Sequence, residues 1–174
     1  SLILEDGKFY ITEPNSSTKL LIVNIATKAV ETVEIGLRGD SIEEENGTLF
    51  ILKAPYTGSG EIVKVKISDK SVSRIPFPES LAGTRGMDIE DNKIYYTAGS
   101  AVYAMDINAT TPSTTAIVNT PATNIYGFAV ENNRIYIADA AFNKDSKAYI
   151  YNLSGVLQKE LTVGVGANGF YFND

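Results

Sequence analysis

Residues 131–137 read Glu131-Asn132-Asn133-Arg134-Ile135-Tyr136-Ile137, a polar turn running into a short β-rich stretch. The pattern occurs three more times, as Glu5-Asp6-Gly7-Lys8-Phe9-Tyr10-Ile11, Glu45-Asn46-Gly47-Thr48-Leu49-Phe50-Ile51 and Glu90-Asp91-Asn92-Lys93-Ile94-Tyr95-Tyr96. From Asp6 the turn returns at Asn46, Asp91 and Asn132, at spacings of 40, 45 and 41 residues, and a further 41 residues leads to Asn173-Asp174. Asp-Gly and Asn-Gly accept positive φ at both central positions, as a two-residue type I′ hairpin demands, and Asn tolerates that region better than most residues. Each turn is therefore expected to join two antiparallel strands, with strands near 8–12, 48–53, 93–97 and 134–138.

Two further anchors flank this one. Downstream come Leu21–Ala26, Val63–Ser68, Tyr103–Asn108 and Tyr149–Ser154, apolar at alternate places as strands are. Each leads to a weaker alternating run: Val30–Ile35, Val72–Phe77, Thr115–Val118 and Leu157–Val163. Upstream of the turn lies a glycine followed by a short strand, at Arg38-Gly39, Arg85-Gly86, Tyr126-Gly127 and Asn168-Gly169. Each repeat thus holds four strands, A to D, with A running from the glycine into the turn. Four antiparallel strands per roughly 40 residues is the signature of a β-propeller blade. The B strands are apolar on both faces, which requires cover on both, and neighbouring blades provide it.

The expectation is an all-β propeller region over residues 1–174, with repeats at about 1–40, 41–86, 87–127 and 128–169 and a closing strand at 170–174. B, C and D candidates occur four times, but Leu2-Ile3-Leu4 and Phe170-Tyr171-Phe172 give A a fifth. The surplus strand suggests the C-terminal part of a larger ring. The alternative is a closed four-bladed ring in which Phe170–Phe172 pairs beside Lys8–Ile11. Open propeller edges would favour self-association.

Composition excludes several function classes. The net charge of −6 argues against nucleic acid as a partner, and no apolar run approaches the ~20 residues of a membrane span. Without cysteine or histidine, thiol nucleophiles, thiolate zinc sites, Ser-His-Asp triads and imidazole bases are all impossible. No cofactor is expected. Carboxylate, tyrosine and lysine chemistry stays open.

The segments NRIYIAD…KAYIYNLSG and GKFYITEP…LLIVNIATKAVETVEIG resemble the YVTN and YncE-like bacterial β-propeller repeats. The ending GVGANGFYFND is similar to closing segments of secreted or surface-anchored members. The resemblance implies a seven-bladed ring, an exported, periplasmic or cell-surface location and a binding role. At 174 residues the chain is about half such a ring.

Arg38-Gly39-Asp40 spells an adhesion tripeptide, but Arg-Gly recurs at Arg85-Gly86, so a structural use of the glycine is the stronger reading. Asn-X-Ser/Thr sequons at Asn15, Asn46, Asn108 and Asn152 mark surface turns. Glu43-Glu44-Glu45 lacks the spaced oxygens of a calcium loop and reads as a solvated edge. A binding site is expected where the A-strand lead-ins and the B–C loops open on one face. The residue before each glycine varies between repeats (Arg38, Arg85, Tyr126, Asn168), while the B–C loops bring Tyr56, Thr57 and Ser59 or Phe142, Asn143 and Lys144. Guanidinium, aromatic and amide groups suit a polar or anionic small molecule, a glycan or a peptide. A non-enzymatic binding domain is the leading reading; a carboxylate-based hydrolase or lyase near the axis, and a structural scaffold, are the alternatives.

Overall fold

The computed structural model describes residues 1–172. The strands are β1 (Leu2–Glu5), β2 (Lys8–Ile11), β3 (Lys19–Asn24), β4 (Val30–Glu34), β5 (Gly39–Glu45), β6 (Thr48–Lys53), β7 (Glu61–Lys66), β8 (Val72–Pro76), β9 (Thr84–Glu90), β10 (Lys93–Ala98), β11 (Ala101–Asp106), β12 (Ala116–Asn119), β13 (Ile125–Glu131), β14 (Arg134–Asp139), β15 (Ser146–Asn152) and β16 (Leu157–Val163). They form four antiparallel four-stranded sheets, each consecutive in sequence, so every repeat is one blade. The only helical element among the described residues is a single 3₁₀ turn at Glu79–Leu81. The chain divides into two compact units, Ser1–Gly83 with the first two blades and Thr84–Asp174 with the last two.

The turn chemistry that decided the fold is borne out. Asp6 and Gly7, Asn46 and Gly47, Asp91 and Asn92, and Asn132 and Asn133 all have positive φ, between 46° and 73°. That handedness matches the twist of the strands it joins.

Alternation within the strands builds each core. In the first unit Tyr10, Leu20, Ile22 and Val33 of the first blade pack on Ile42, Leu49, Ile51, Val63 and Val65 of the second. In the second unit Tyr95, Val102 and Val118 of the third blade pack on Val130, Ile135, Ile137, Tyr149 and Tyr151 of the fourth. Most positions are shared, but Val130 stands where the second blade has Glu44, and Ile42 where the fourth has Phe128. Polar groups reinforce the second pair: Asp88 accepts hydrogen bonds from Ile89 N (2.8 Å) and, across the blades, from Val130 N (2.7 Å), while Glu90 accepts from Asn133 N (2.9 Å).

Strand register corrects the third anchor. Gly39 pairs with Lys53, Thr84 with Ala98 and Ile125 with Asp139, so these three are equivalent. Beyond them each A strand is irregular, with bulge residues Asp40-Ser41, Arg85-Gly86 and Tyr126-Gly127. Gly86 and Gly127 are thus bulge residues, whereas Gly39 lies two places earlier, preceded by Arg38 at φ 71°. The glycines also do different jobs. A Cβ on Gly86 would come within 2.8 Å of Phe128 Cβ, and one on Gly127 within 2.7 Å of Gly169 N, so both admit a close approach of later chain; on Gly39 it would meet Ile35 at 2.8 Å.

Phe170–Phe172 belongs to none of the four sheets; residues 173–174 of the expected closing strand lie outside the described residues. Phe170 and Phe172 instead set their rings against Tyr136, with centroids at 5.4 and 5.0 Å. The place beside Lys8–Ile11 is held by Leu2–Glu5.

Candidate functional site

The lead-in to each A strand and its B–C loop lie at one end of the sheet, because the first residues of A pair with the last of B. In the second blade this end carries a compact polar cluster. Arg38 has left-handed backbone, and its guanidinium carbon lies over Tyr56, 3.8 Å from the ring centroid. Arg38 Nη1 donates to Asn15 Oδ1 (3.3 Å), which also accepts from the Tyr56 hydroxyl (3.2 Å). Arg38 makes no ion pair among the described residues.

Asn15 is placed by the first blade's B–C loop, which folds around Glu13. That carboxylate accepts from Asn15 N (2.9 Å), from Ser16 N and Oγ (2.6 and 2.7 Å) and from Ser17 N (3.0 Å). The Ser16 hydroxyl, followed by the backbone N–H groups, holds the Glu13 pKa at about 2.

Next to the cluster is a pocket of about 350 Å³, within the size range of small-molecule sites. Leu37, Pro55, Pro76 and Phe77 supply its apolar wall, and Arg38, Lys53, Ser59 and Glu61 its polar groups. Glu61 Oε1 accepts from Lys53 Nζ (2.8 Å) and Arg74 Nη1 (2.6 Å), so one carboxylate serves two cations and the trio keeps a net positive charge in the wall. Arg74 also donates to Ile35 O (3.0 Å), and Ser59 Oγ to Pro78 O (3.1 Å). Arg38 is the lining cation that has no carboxylate contact among the described residues, and it adds to that positive charge.

Among the residues expected at the site, Arg38 and Tyr56 meet, and Ser59 lines the adjacent pocket; Thr57 is exposed and does not line it. In the second unit Tyr126, expected in a loop, is the bulge residue of β13 and meets Phe142 edge-on at 5.5 Å. Arg85 is exposed at the bulge of β9, Asn168 brings its backbone against Gly127, and Asn143 and Lys144 are exposed in the β14–β15 loop. Two direct ring contacts thus join the expected rim residues, Arg38 with Tyr56 in the first unit and Tyr126 with Phe142 in the second. Arg38 and Arg85 are not equivalent: Arg38 takes the place of Asn124, since Arg38 O and Asn124 O accept from the matching Ala54 N and Ala140 N.

Sequence reasoning missed Asn15, Lys53 and Glu61. Asn15 was within reach, because it occupies the B–C loop of the first repeat as Tyr56 does in the second. Lys53 and Glu61 face each other across the ends of two paired strands, a fact that needs the register.

No known protein family and no curated protein matches the chain at the level of sequence. Solved structures do. The computationally designed Ika8 protein superposes with a TM-score of 0.71 at 12% identity, over 99% of this chain and 52% of its own. A calcium-binding protein, regucalcin from Agrobacterium tumefaciens, gives 0.66 at 14% over 97% and 61%, and BamB from Moraxella catarrhalis gives 0.64 at 11% over 99% and 52%. The likeness establishes a β-propeller fold. The chain spans between about half and two thirds of the length of these structures.

Proposed function

We propose that this chain is a non-enzymatic β-propeller domain that binds a small anionic or polar ligand, such as a carboxylate or an acidic sugar, at the second-blade pocket. The observation that carries the reading is Arg38: a guanidinium without a carboxylate partner, oriented on an aromatic ring at the mouth of a partly apolar cavity. A fixed fork of N–H donors that meets no carboxylate is suited to a planar anion, and the pocket's apolar wall suits the body of a small molecule. The enzymatic alternative has less support. The buried carboxylate of Asp88 spends its oxygens on two backbone N–H groups, which is a structural role. An exported bacterial setting rests on the repeat resemblance.

The test is a panel of small mono- and dicarboxylates, acidic sugars and short acidic peptides, titrated by calorimetry into the chain and into Arg38→Ala. Binding that weakens by about tenfold or more in the variant, at an unchanged melting temperature, supports the site. Equal affinity in both forms, or a panel without a binder, sinks it.

A further inference from the structure

The second-blade pocket carries more positive charge than a single bound carboxylate balances. Lys53 ends β6 and Glu61 opens β7, and their pairing across the sheet brings ammonium and carboxylate to 2.8 Å. Arg74 of β8 reaches the same carboxylate oxygen at 2.6 Å. With Arg38, three cations stand against one carboxylate, an excess of two positive charges. The neighbouring carboxylates along the chain, Glu13, Glu34, Asp40 and Glu79, do not line the cavity and make no ion pair among the described residues.

The excess is not on a side chain that can swing into solvent. The Lys53 side chain is only 17% exposed. Gly36 walls it in: with φ at 81° and no side chain, it admits the ammonium so closely that a Cβ there would lie 2.8 Å from Nζ. Of the three N–H donors on that ammonium, one meets Glu61 and the others meet no acceptor among the described residues. A charge withdrawn from water needs both a counter-charge and satisfied donors. Glu61 supplies these incompletely, because the same oxygen also serves Arg74, which Ile35 O holds in place at 3.0 Å. An anion entering the cavity that Lys53 lines completes the set.

Arg38 is anchored separately, on Tyr56 and Asn15, and shares no partner with Lys53. We infer that the ligand of this pocket is a small dianion whose two charges are met by Arg38 and Lys53, its body lying against Leu37, Pro55 and Phe77. The inference rests on the pocket reading given above, and adds that Lys53 sets the charge the ligand must carry. Glu61 acts in the opposite sense: it holds Lys53 and Arg74 together, and its own charge limits the excess. A dicarboxylate divides its charges between two ends, whereas a phosphate monoester carries them on one group. Both offer these cations the same total charge.

Calorimetric titration of the full chain with succinate, methyl phosphate and butyrate tests this, at about pH 8 where the first two are dianions. A melting curve confirms the folding of each variant. The better dianion binds about tenfold or more tightly than butyrate, as a second charge-assisted contact implies. Which dianion leads tells whether the charge sits on two ends or on one group. Lys53→Met brings that ratio below about threefold, because Glu61 then neutralises Arg74 and one positive charge remains. Glu61→Gln keeps an acceptor for both cations, removes the negative charge and raises the ratio, and it carries the test alone if Lys53→Met unfolds. Residues that merely shaped the cavity would not move the ratio in opposite directions. Butyrate bound as tightly as either dianion overturns the inference while the pocket reading stands. So does a ratio unchanged in Lys53→Met, or one unchanged or lowered in Glu61→Gln. A chain that binds none of the three probes also overturns it, and the pocket reading falls with it only if the wider panel of acids, sugars and peptides fails too.

Discussion

The two rim clusters invite comparison. In the first unit Arg38 lies on Tyr56, with Asn15 bridging both; in the second Tyr126 meets Phe142, and both rings are largely exposed. Tyr56 and Phe142 occupy corresponding loops, but their partners reach them from different register positions: Arg38 from two residues before the A-strand bulge, Tyr126 from the bulge itself. The first arrangement leaves a directed positive charge beside a pocket, while the second leaves apolar edge and hydroxyl. A repeat framework fixes where a rim is, and the local backbone decides what chemistry it presents.

The strongest way to break the first cluster is through its loop. A Cβ on Gly60 would lie 2.0 Å from Lys53 O, so Gly60→Ala must shift backbone and is expected to cost about 3 kcal/mol. Chemical denaturation measures this, and a cost below about 1 kcal/mol would mean that the loop is not held as described. In the second unit, Asp88→Ala orphans the N–H groups of Ile89 and Val130 and should destabilise by about 2 kcal/mol.

Acid separates the two units by sign. Glu13 has a depressed pKa, so its contribution to order in the Asn15 loop is complete above its ordinary value of 4.5 and is lost as pH falls toward about 2. Asp88 has a raised pKa, chiefly through burial and against its two hydrogen bonds, so its contribution grows as pH falls through its folded-state pKa. Glu13→Gln should flatten the acid loss of protection at Ser16 and Ser17 amides in hydrogen exchange, leaving the Val130 amide unchanged. Parallel pH responses at the two places would refute the assignment.

The smallest effects sharpen the rim itself. A double-mutant cycle of Arg38→Ala with Tyr56→Leu should give a coupling of about 0.5–1 kcal/mol, typical of an exposed cation on a ring. Tyr126→Leu with Phe142→Leu should give about 0.5 kcal/mol for an edge-on pair. Salt should change neither much, because neither is an ion pair.

The sequence by itself determined the blades. Four Asx-based turns require positive φ, and period-two apolar runs behind them leave antiparallel hairpins as the outcome; both are local constraints that residue type expresses directly. It also put the B–C loops on the rim and named Arg38 and Tyr56 among the candidate site residues, with Arg38 coupled to Arg85 rather than to Tyr56. It misaligned Arg38-Gly39 with Arg85-Gly86, because two glycines that look alike answer different needs, one beside Ile35 and the other beneath Phe128. It left Phe170–Phe172 surplus to the four blades, and the tertiary structure sets those rings on Tyr136 outside any of the four sheets. Register at a bulge, a cation's choice of ring over carboxylate, and the convergence of Lys53 and Arg74 on Glu61 were decided by tertiary structure alone. Each depends on which distant backbone comes close, and that distance is set by packing between strands and blades rather than by the residues next in sequence.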